Sequence, residues 1–600
     1  MRIGLLTEGG YPYVSGDARL WCDRLVRGLG QHEFDLYALS RTRRQEDEGW
    51  LPLPPHVSRV RTAPLWTADE DGVTYGRRAR RRFAESYAEF VGVLCAGPAA
   101  DGPDGTVLSD GTAGPDGAAG SNGPGVAGGS GVVPVSLADR FGNALHALAE
   151  LARDEGGLAA ALRSDTALRT LERACRAPGA LGTAREARVP DLLAVAAHLE
   201  RALRPLSLDW YGDDGLGAAD LCHATAGGPA ALAGLLAQHF SGVPLLVTEY
   251  GVQLRSHYLA TGPDTATPAV RALLAAFHGR LAAEVYRRAA IITPGNAHTR
   301  RWQERCGAER ARIRTVHPGM EAARFTEVGE APDRAEPDTL VWVGRIEPAK
   351  DLVSLLHAFA EVRKEEPKAR LRVVGAPAGP DGEAYLGHCR ALAAQLFPDE
   401  ADGVHAVGDN PVSFDEIGGP EAPTLADAYA SGEIVVLSSV VEGFPAGLVE
   451  AMFCGRATVS TDVGAVVEAI GGTGLVVPPR NPRALAEACV TLLRDPERRA
   501  RLGAAARARA LELFTVEQNI AAFHSIYLEI VSHCPVRRVV LDRSGEPLPF
   551  AFPAEACVPG RWTGPTARVA QPAVPGRALG TALRPASVRT TPLTATEGAL

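Results

Sequence analysis

The stretch Ile434-Val435-Val436-Leu437-Ser438, followed by Glu442-Gly443-Phe444-Pro445-Ala446-Gly447-Leu448-Val449-Glu450, decides the fold. A short β-branched apolar run ending in serines reads as a buried strand, and the glycine-punctuated residues after it as a loop. Pro445 suits the first turn of a helix, where its missing N–H is one that would be unpaired anyway. Strand, loop and helix in that order are the repeating piece of a parallel α/β sheet, whose ligands sit at the carboxyl ends of its strands. The N–H groups near Gly447 and Leu448 are expected to be free for a phosphate. A carboxylate does not bind phosphate. Glu442 in the loop and Glu450 one turn into the helix therefore suit the hydroxyls of a ribose or a sugar. Two plainer roles stay open here: a solvated loop glutamate at 442, and at 450 an acid favoured by the positive end of the helix dipole.

The same punctuation occurs earlier, in Val343-Gly344-Arg345-Ile346-Glu347-Pro348-Ala349-Lys350. Arg345 offers a bidentate fork and Lys350 a compact point charge, one on each side of a turn, as a diphosphate would require. Lysine is scarce in this chain: of 62 basic residues only Lys350, Lys364 and Lys368 are lysines. A cation at a helix start also opposes the helix dipole. Both points weigh against an ordinary surface pair.

Outward from these motifs, strand and helix keep alternating. In the second half, strands are expected over 339–344, 370–375, 434–438 and 458–461, and helices over 351–366, from 445, and over 482–493, 496–513 and 516–531. The first half opens with a strand over 2–7, a helix over 18–29 and a strand over 33–39. It continues with strands at 220–224, 243–248, 290–293 and 313–316 and helices at 229–240 and 297–306. Residues 41–205 read as a mostly helical insertion, with a Gly/Ala/Pro/Asp tract over 97–132 as a disordered loop inside it. This divides the chain into domains over 1–325 and 326–513, a C-terminal helix over 514–533 and a disordered tail over 534–600.

Composition narrows the function classes. A net charge of −9 over 600 residues speaks against a globally basic nucleic-acid binder. The ten cysteines contain no C-x-x-C pair, so neither a zinc ribbon nor a disulfide framework is suggested. No run approaches the ~18 apolar residues of a membrane span, and the apolar run in the first residues is too short for a signal peptide. A soluble cytoplasmic protein is expected.

Gly344-Arg345…Lys350, the Glu442…Glu450 spacing around Gly443-Phe444-Pro445, and Asp462-Val463-Gly464…Glu468 resemble the retaining, nucleotide-sugar-dependent glycosyltransferases of family 4. The opening Thr7-Glu8-Gly9-Gly10-Tyr11-Pro12-Tyr13-Val14-Ser15-Gly16 is similar to the PelF-type branch associated with bacterial exopolysaccharide synthesis. The resemblance implies the α/β GT-B fold: two Rossmann-like parallel-sheet domains facing a cleft, with a helical insertion in the first, acceptor-side domain. It implies a hexosyltransferase that moves a hexose from a UDP-glucose-like nucleoside diphosphate sugar to an acceptor hydroxyl, in extracellular polysaccharide or glycan synthesis. The implied partners are the nucleotide sugar, a glycan or small-molecule acceptor and a membrane-bound synthase complex, with no nucleic acid, metal or other cofactor.

Carried over position by position, the resemblance makes Arg345, Lys350 and Glu442 the catalytic group. The first two hold the donor diphosphate and Glu442 the transferred sugar. Gly16, Gly344, Gly443, Phe444, Pro445, Gly447, Leu448 and Glu450 would bind the donor, Glu450 through the ribose. Asp17, Tyr250 and His223 fall on the acceptor side. Asp17 stands where the family usually has a second Gly, and Tyr250 where the branch often has a His. Tyr cannot titrate near neutral pH. His223 ends an expected strand at the cleft, and a hydrogen-bonded structural histidine is its other reading. Two other functions stay open: a catalytically weak scaffold that binds a nucleotide sugar, and a nucleotide-sugar epimerase on the same fold. A pyridoxal-dependent phosphorylase is disfavoured, since neither Lys364 nor Lys368 has a convincing pocket context.

Overall fold

The computed structural model describes residues 1–15, 18–67, 72–97, 136–259, 266–330, 335–398 and 410–536. Gly16, Asp17, nearly all of the loop expected over 97–132 and all but the start of the expected tail lie outside the described residues.

Two six-stranded parallel sheets organise the chain. In the first, β1 (Arg2–Glu8), β2 (Glu33–Ser40), β3 (Val57–Pro64), β4 (Leu221–Ala224), β5 (Leu245–Glu249) and β6 (Ile291–Pro294) lie in the order β3-β2-β1-β4-β5-β6. In the second, β7 (Glu336–Val343), β8 (Arg370–Val374), β9 (Val412–Asp415), β10 (Gly432–Leu437), β11 (Ala457–Thr461) and β12 (Leu475–Val477) lie in the order β12-β11-β10-β7-β8-β9. The central strands are buried on both faces, as parallel strands between helix layers must be: Ile3, Leu5, Leu6, Ile434 and Val436 are at most 1% exposed. The strand order reverses between β1 and β4 in one sheet and between β7 and β10 in the other. At such switch points the flanking loops part and leave a crevice at the strands' carboxyl ends.

The structure corrects three expectations. The region 41–205 is not wholly an insertion, because β3 lies inside it as an edge strand of the first sheet. Its alternate residues Arg59 and Arg61 point outward, and Arg61 pairs with Asp214 at 3.0 Å, so the polar edge hides the strand pattern. The strand expected over 313–316 is only an isolated bridge, Ile313 to Ile292, beside β6. Pro294 has no N–H to extend that ladder, and Pro318 soon follows. Between β5 and β6, where the sequence reading assigns nothing, stands a 21-residue helix, Pro268–Arg288. Its N-cap Thr267 accepts from the Val270 N–H.

The expected helices of the inserted region are present as Arg77–Cys95, Leu137–Glu155, Asp165–Arg176 and Val189–Ala202. Their apolar faces merge with the first sheet into one core. Phe83 stacks on Tyr87 at 5.3 Å, and Phe90 lies 5.3 Å from Phe141 and 6.4 Å from Phe277. Fully burying one such ring stabilises by roughly 1.5–3 kcal/mol, so this region is built into the first domain. The last helix, Val516–His533, crosses back from the second domain. It buries Phe523, Ile526, Tyr527 and Ile530 against Trp21, Val26 and Leu221.

Candidate active site

The β7–β10 switch point brings the two sequence motifs together. The β7 loop ends in a short 3₁₀ turn, Pro348–Lys350, and the β10 loop leads into the helix Ala446–Phe453. Two bonds clamp the loops: the Val440 N–H donates to Ala349 O at 2.9 Å, and Ser438 Oγ to Lys350 O at 2.7 Å. Across the clamp, Lys350 Nζ donates to Glu442 Oε2 at 2.7 Å, with the two side chains 17% and 13% exposed. Ser439 Oγ donates to the same carboxylate oxygen at 3.1 Å. Glu442 is therefore no solvated loop residue.

Arg345 follows Gly344 at the carboxyl end of β7 and is exposed, with no hydrogen bond or ion pair among the described residues. The chain beneath it is held tightly. The Gly344 N–H donates to Val374 O at 3.1 Å, and a Cβ at Gly375 would lie 1.8 Å from Gly344 O, a closeness only glycine permits. The site thus holds one free guanidinium and one ammonium already balanced by a carboxylate.

Glu450 is mostly enclosed. Tyr429, itself fully buried, donates its hydroxyl to Glu450 Oε2 at 2.8 Å. Burial pushes the Glu450 carboxyl above the usual carboxylate range, opposed by the Tyr429 bond and by the positive charge of Arg324. Gly447 lies over this pair: a Cβ there would stand 3.1 Å from Tyr429 Oη. Gly443 faces open space, with nothing within 4 Å of an added Cβ, and its carbonyl accepts from the Ala465 N–H at 3.1 Å. The expectation for Leu448 is corrected. Its N–H donates to Pro445 O at 3.0 Å and its side chain is buried with Leu437, Val466 and Ile470, so it offers a phosphate nothing. Pro445 is buried and caps the helix, and the Phe444 ring packs edge-on to Phe514 at 5.7 Å. Glu468 reaches the first domain, accepting from the Ala297 N–H at 2.6 Å.

The acceptor-side expectations fare differently. His223 is fully buried, with Nδ1 2.7 Å from Tyr527 Oη and Nε2 2.7 Å from Thr248 Oγ1. Both ring nitrogens are engaged with protein, so the structural reading replaces the substrate contact. Tyr250 turns its hydroxyl inward, and its ring lies edge-on to Trp21 at 5.2 Å and covers Gly295. It presents no hydroxyl to an acceptor. The neighbouring Glu249, which the sequence reading passed over, is buried and accepts from Tyr286 Oη and from Gln303 Nε2 at 2.9 Å. A Cβ at Gly227 would lie 2.1 Å from its Oε1, so Glu249 anchors the loop after β4. Tyr429 and Ser439 were also missed, because no local pattern marks a partner reached only through the fold.

A cavity of about 1210 Å³, lined by His357, Lys364, Pro398, Pro411 and Arg483 among others, shares no residue with this site. Among the described residues no cluster of three or more His, Cys, Asp or Glu is arranged to hold a metal ion. No helix among them is long and apolar enough to cross a membrane.

Residues 337–495 match the family described as Glycosyl transferases group 1, and residues 1–109 and 136–311 match the Domain of unknown function (DUF3492). A D-inositol 3-phosphate glycosyltransferase of Kineococcus radiotolerans is 34% identical over 277 residues, 43% of this chain and 58% of the relative. One from Streptomyces bingchenggensis is 34% identical over 236 residues, 37% of this chain and 49% of the relative. The chain therefore spans about half the length of these curated relatives. Among solved structures, Anabaena HepE in complex with UDP aligns with a TM-score of 0.41 at 18% identity, over 52% of this chain and 79% of that one. Sucrose-phosphate synthase from Thermosynechococcus elongatus aligns with a TM-score of 0.48 at 16% identity, over 89% and 100%. The architecture rests on the strand order of the two sheets, each of which has the doubly wound Rossmann order, as the expected two-domain fold requires. The chain is thus similar to the group 1 glycosyl transferases over its second sheet, residues 337–495, and to DUF3492 over its first, residues 1–109 and 136–311.

Proposed function

We propose that this chain is a retaining hexosyltransferase that moves a hexose from a UDP-glucose-like donor to an acceptor hydroxyl in polysaccharide or glycan synthesis. The observation that carries the reading is the Lys350–Glu442 contact at the switch point of the second sheet, with the free guanidinium of Arg345 on the adjoining loop. A nucleoside diphosphate sugar presents two anionic phosphates next to a ring of hydroxyls. Lys350 and Arg345 match the first, Glu442 the second. Glu450, held by Tyr429, is left to accept from the ribose hydroxyls.

In this scheme the acceptor hydroxyl approaches the anomeric carbon on the face the diphosphate leaves, and a diphosphate oxygen takes its proton. The carbon–oxygen bond to the diphosphate breaks as the new glycosidic bond forms on the same face. Negative charge grows on the departing diphosphate, so the two cations act more strongly in the transition state than in the ground state. The test is product analysis after incubation with a panel of labelled nucleotide sugars and acceptors. Transfer of label to an acceptor supports the reading. Isomerised donor would replace it with an epimerase. Tight donor binding without transfer or hydrolysis across the panel would replace it with a scaffold.

A further inference from the structure

We infer that Glu468 is a positioning residue for the transfer: it holds the first domain in register with the loop that would carry the donor sugar. This rests on the glycosyl-transfer reading above and adds a residue that acts through its neighbours. In that reading the donor lies on the second domain and the acceptor on the first, so the reacting atoms belong to two bodies. Holding such atoms in a reactive geometry is a large part of the rate, and a misplacement of about 1 Å can cost ~10²-fold. A side chain that locks the two bodies together then governs the rate although it meets neither substrate.

The backbone of Glu468 belongs to the support of the donor loop. It lies on the short helix Val466–Ile470, just beyond Ala465, whose N–H donates to Gly443 O at 3.1 Å. Gly464, one residue earlier, is packed so closely that a Cβ there would lie 2.2 Å from Glu442 O. Behind the helix, Arg509 Nη2 donates to Glu468 O at 2.8 Å and Arg509 Nε to Ala469 O at 2.9 Å. Glu468 therefore cannot shift without disturbing either Arg509 or the loop of Glu442 and Gly443.

The side chain crosses to the first domain. Its Oε2 accepts from the Ala297 N–H at 2.6 Å, and Ala297 opens the helix Ala297–Arg305 that follows β6. This N–H is one of those that a helix start leaves unpaired, since the N-cap Asn296 takes the Thr299 N–H instead. A carboxylate here also meets the positive end of the helix dipole. The other oxygen, Oε1, stands 3.8 Å from His317 Nε2, and His317 Nδ1 donates to Gly295 O at 3.1 Å. The His317 ring lies 5.1 Å from Phe514, which lies 5.7 Å from Phe444 in the donor loop. One path of backbone bonds and one of rings thus join the donor loop to the same carboxylate.

Kinetics of the full chain with UDP-glucose, on an acceptor found with the labelled panel, test this beside calorimetry with UDP and UDP-glucose. Glu468→Ala should lower kcat for transfer by about tenfold or more and leave both affinities within about twofold of wild type. Glu468→Gln keeps a side-chain oxygen for the Ala297 N–H and should stay within about threefold of the wild-type kcat. Ala297→Pro removes the same bond from the other side, at a first helical position that suits proline after the extended Asn296. It should slow transfer as Glu468→Ala does, and the double variant should be no slower than the slower single. A general loss of stability would not give that pattern. Lost UDP affinity in Glu468→Ala, an unchanged kcat, a Gln variant as slow as the Ala one, or Ala297→Pro at the wild-type rate would each overturn the inference. If the wild type transfers label and the variants match it, only the role of Glu468 falls; if it transfers to nothing in the panel, the transfer reading falls and takes this role with it.

Discussion

Lys350 and Glu442 stand 92 positions apart in the chain and 2.7 Å apart in the fold, each the other's ion-pair partner. The strand order places them so, since β7 and β10 are neighbours at the reversal of the second sheet. Both side chains are mostly enclosed, so neither charge is well solvated alone. Each charge of the pair balances the other. A donor would give the ammonium a phosphate and the carboxylate a hydroxyl, with little cost in uncovered charge.

Lys350→Ala is expected to lower turnover by ~10²-fold or more at saturating donor, because it removes one preorganised cation from a growing negative charge. It also strands the Glu442 carboxylate. In urea unfolding, Lys350→Ala combined with Glu442→Gln should therefore be less destabilised than the sum of the singles, by about 1–3 kcal/mol. Strict additivity would mean that the contact contributes nothing to the fold.

The two glutamates should separate in binding measurements. If Glu450, held by Tyr429, grips the ribose, its contact is the same in ground and transition states, so Glu450→Gln should weaken free UDP and UDP-sugar alike. Glu442→Gln should leave free UDP affinity nearly unchanged while lowering turnover and discrimination between epimeric sugars, at a cost of ~1–3 kcal/mol. Equal loss of UDP affinity in both variants would contradict this division.

What could be read in advance was local. The run Ile434–Ser438 carries its signal in a few neighbouring residues, and β10 appears where that signal put it. What could not be read depends on partners supplied by the fold. Tyr429 sits on a short helix with an ordinary sequence, and only the turn of the chain through β10 brings it to Glu450. The helix dipole argument at Leu448 failed because the Pro445 carbonyl turned back to take its N–H. His223 looked like a cleft residue by strand position alone. The returning helix Val516–His533, far off in sequence, covers it with Tyr527.

Glycine substitutions give a test that leaves every charged group in place. Gly464 has φ +57°, and a Cβ there would lie 2.2 Å from Glu442 O, so Gly464→Ala must push the Glu442 backbone aside. It should cost about 1–3 kcal/mol of stability and disturb the Lys350 contact, lowering turnover as well. Gly443→Ala meets nothing within 4 Å and should unfold within ~0.5 kcal/mol of wild type. If the transferred sugar rests on the Gly443 backbone, that variant should still lose donor affinity. Full donor affinity in Gly443→Ala, by calorimetry, would move the sugar elsewhere.

Acid should loosen the join between β4 and the returning helix through His223. Burial pushes the His223 imidazole down to about 3 from its ordinary 6.5, and both of its nitrogens are occupied by Tyr527 and Thr248. Below the ordinary value the unfolded chain takes up a proton that the folded one refuses. This contribution is therefore complete above 6.5 and is lost as pH falls from there toward about 3. The loss amounts to ~1.4 kcal/mol per pH unit from this one group. Other buried histidines, His278 and His198 among them, add slopes of the same sign. His223→Gln should be less stable than wild type at neutral pH, since Gln cannot reproduce both bonds at that geometry. Between about pH 7.5 and about pH 5.5, however, its unfolding free energy should fall by ~1.4 kcal/mol less than that of the wild type, because it has one fewer site to protonate. Urea unfolding of both proteins at the two pH values measures the difference directly. Identical falls in the two proteins would mean that His223 accepts a proton without leaving the fold, and that the Tyr527 contact yields to let it.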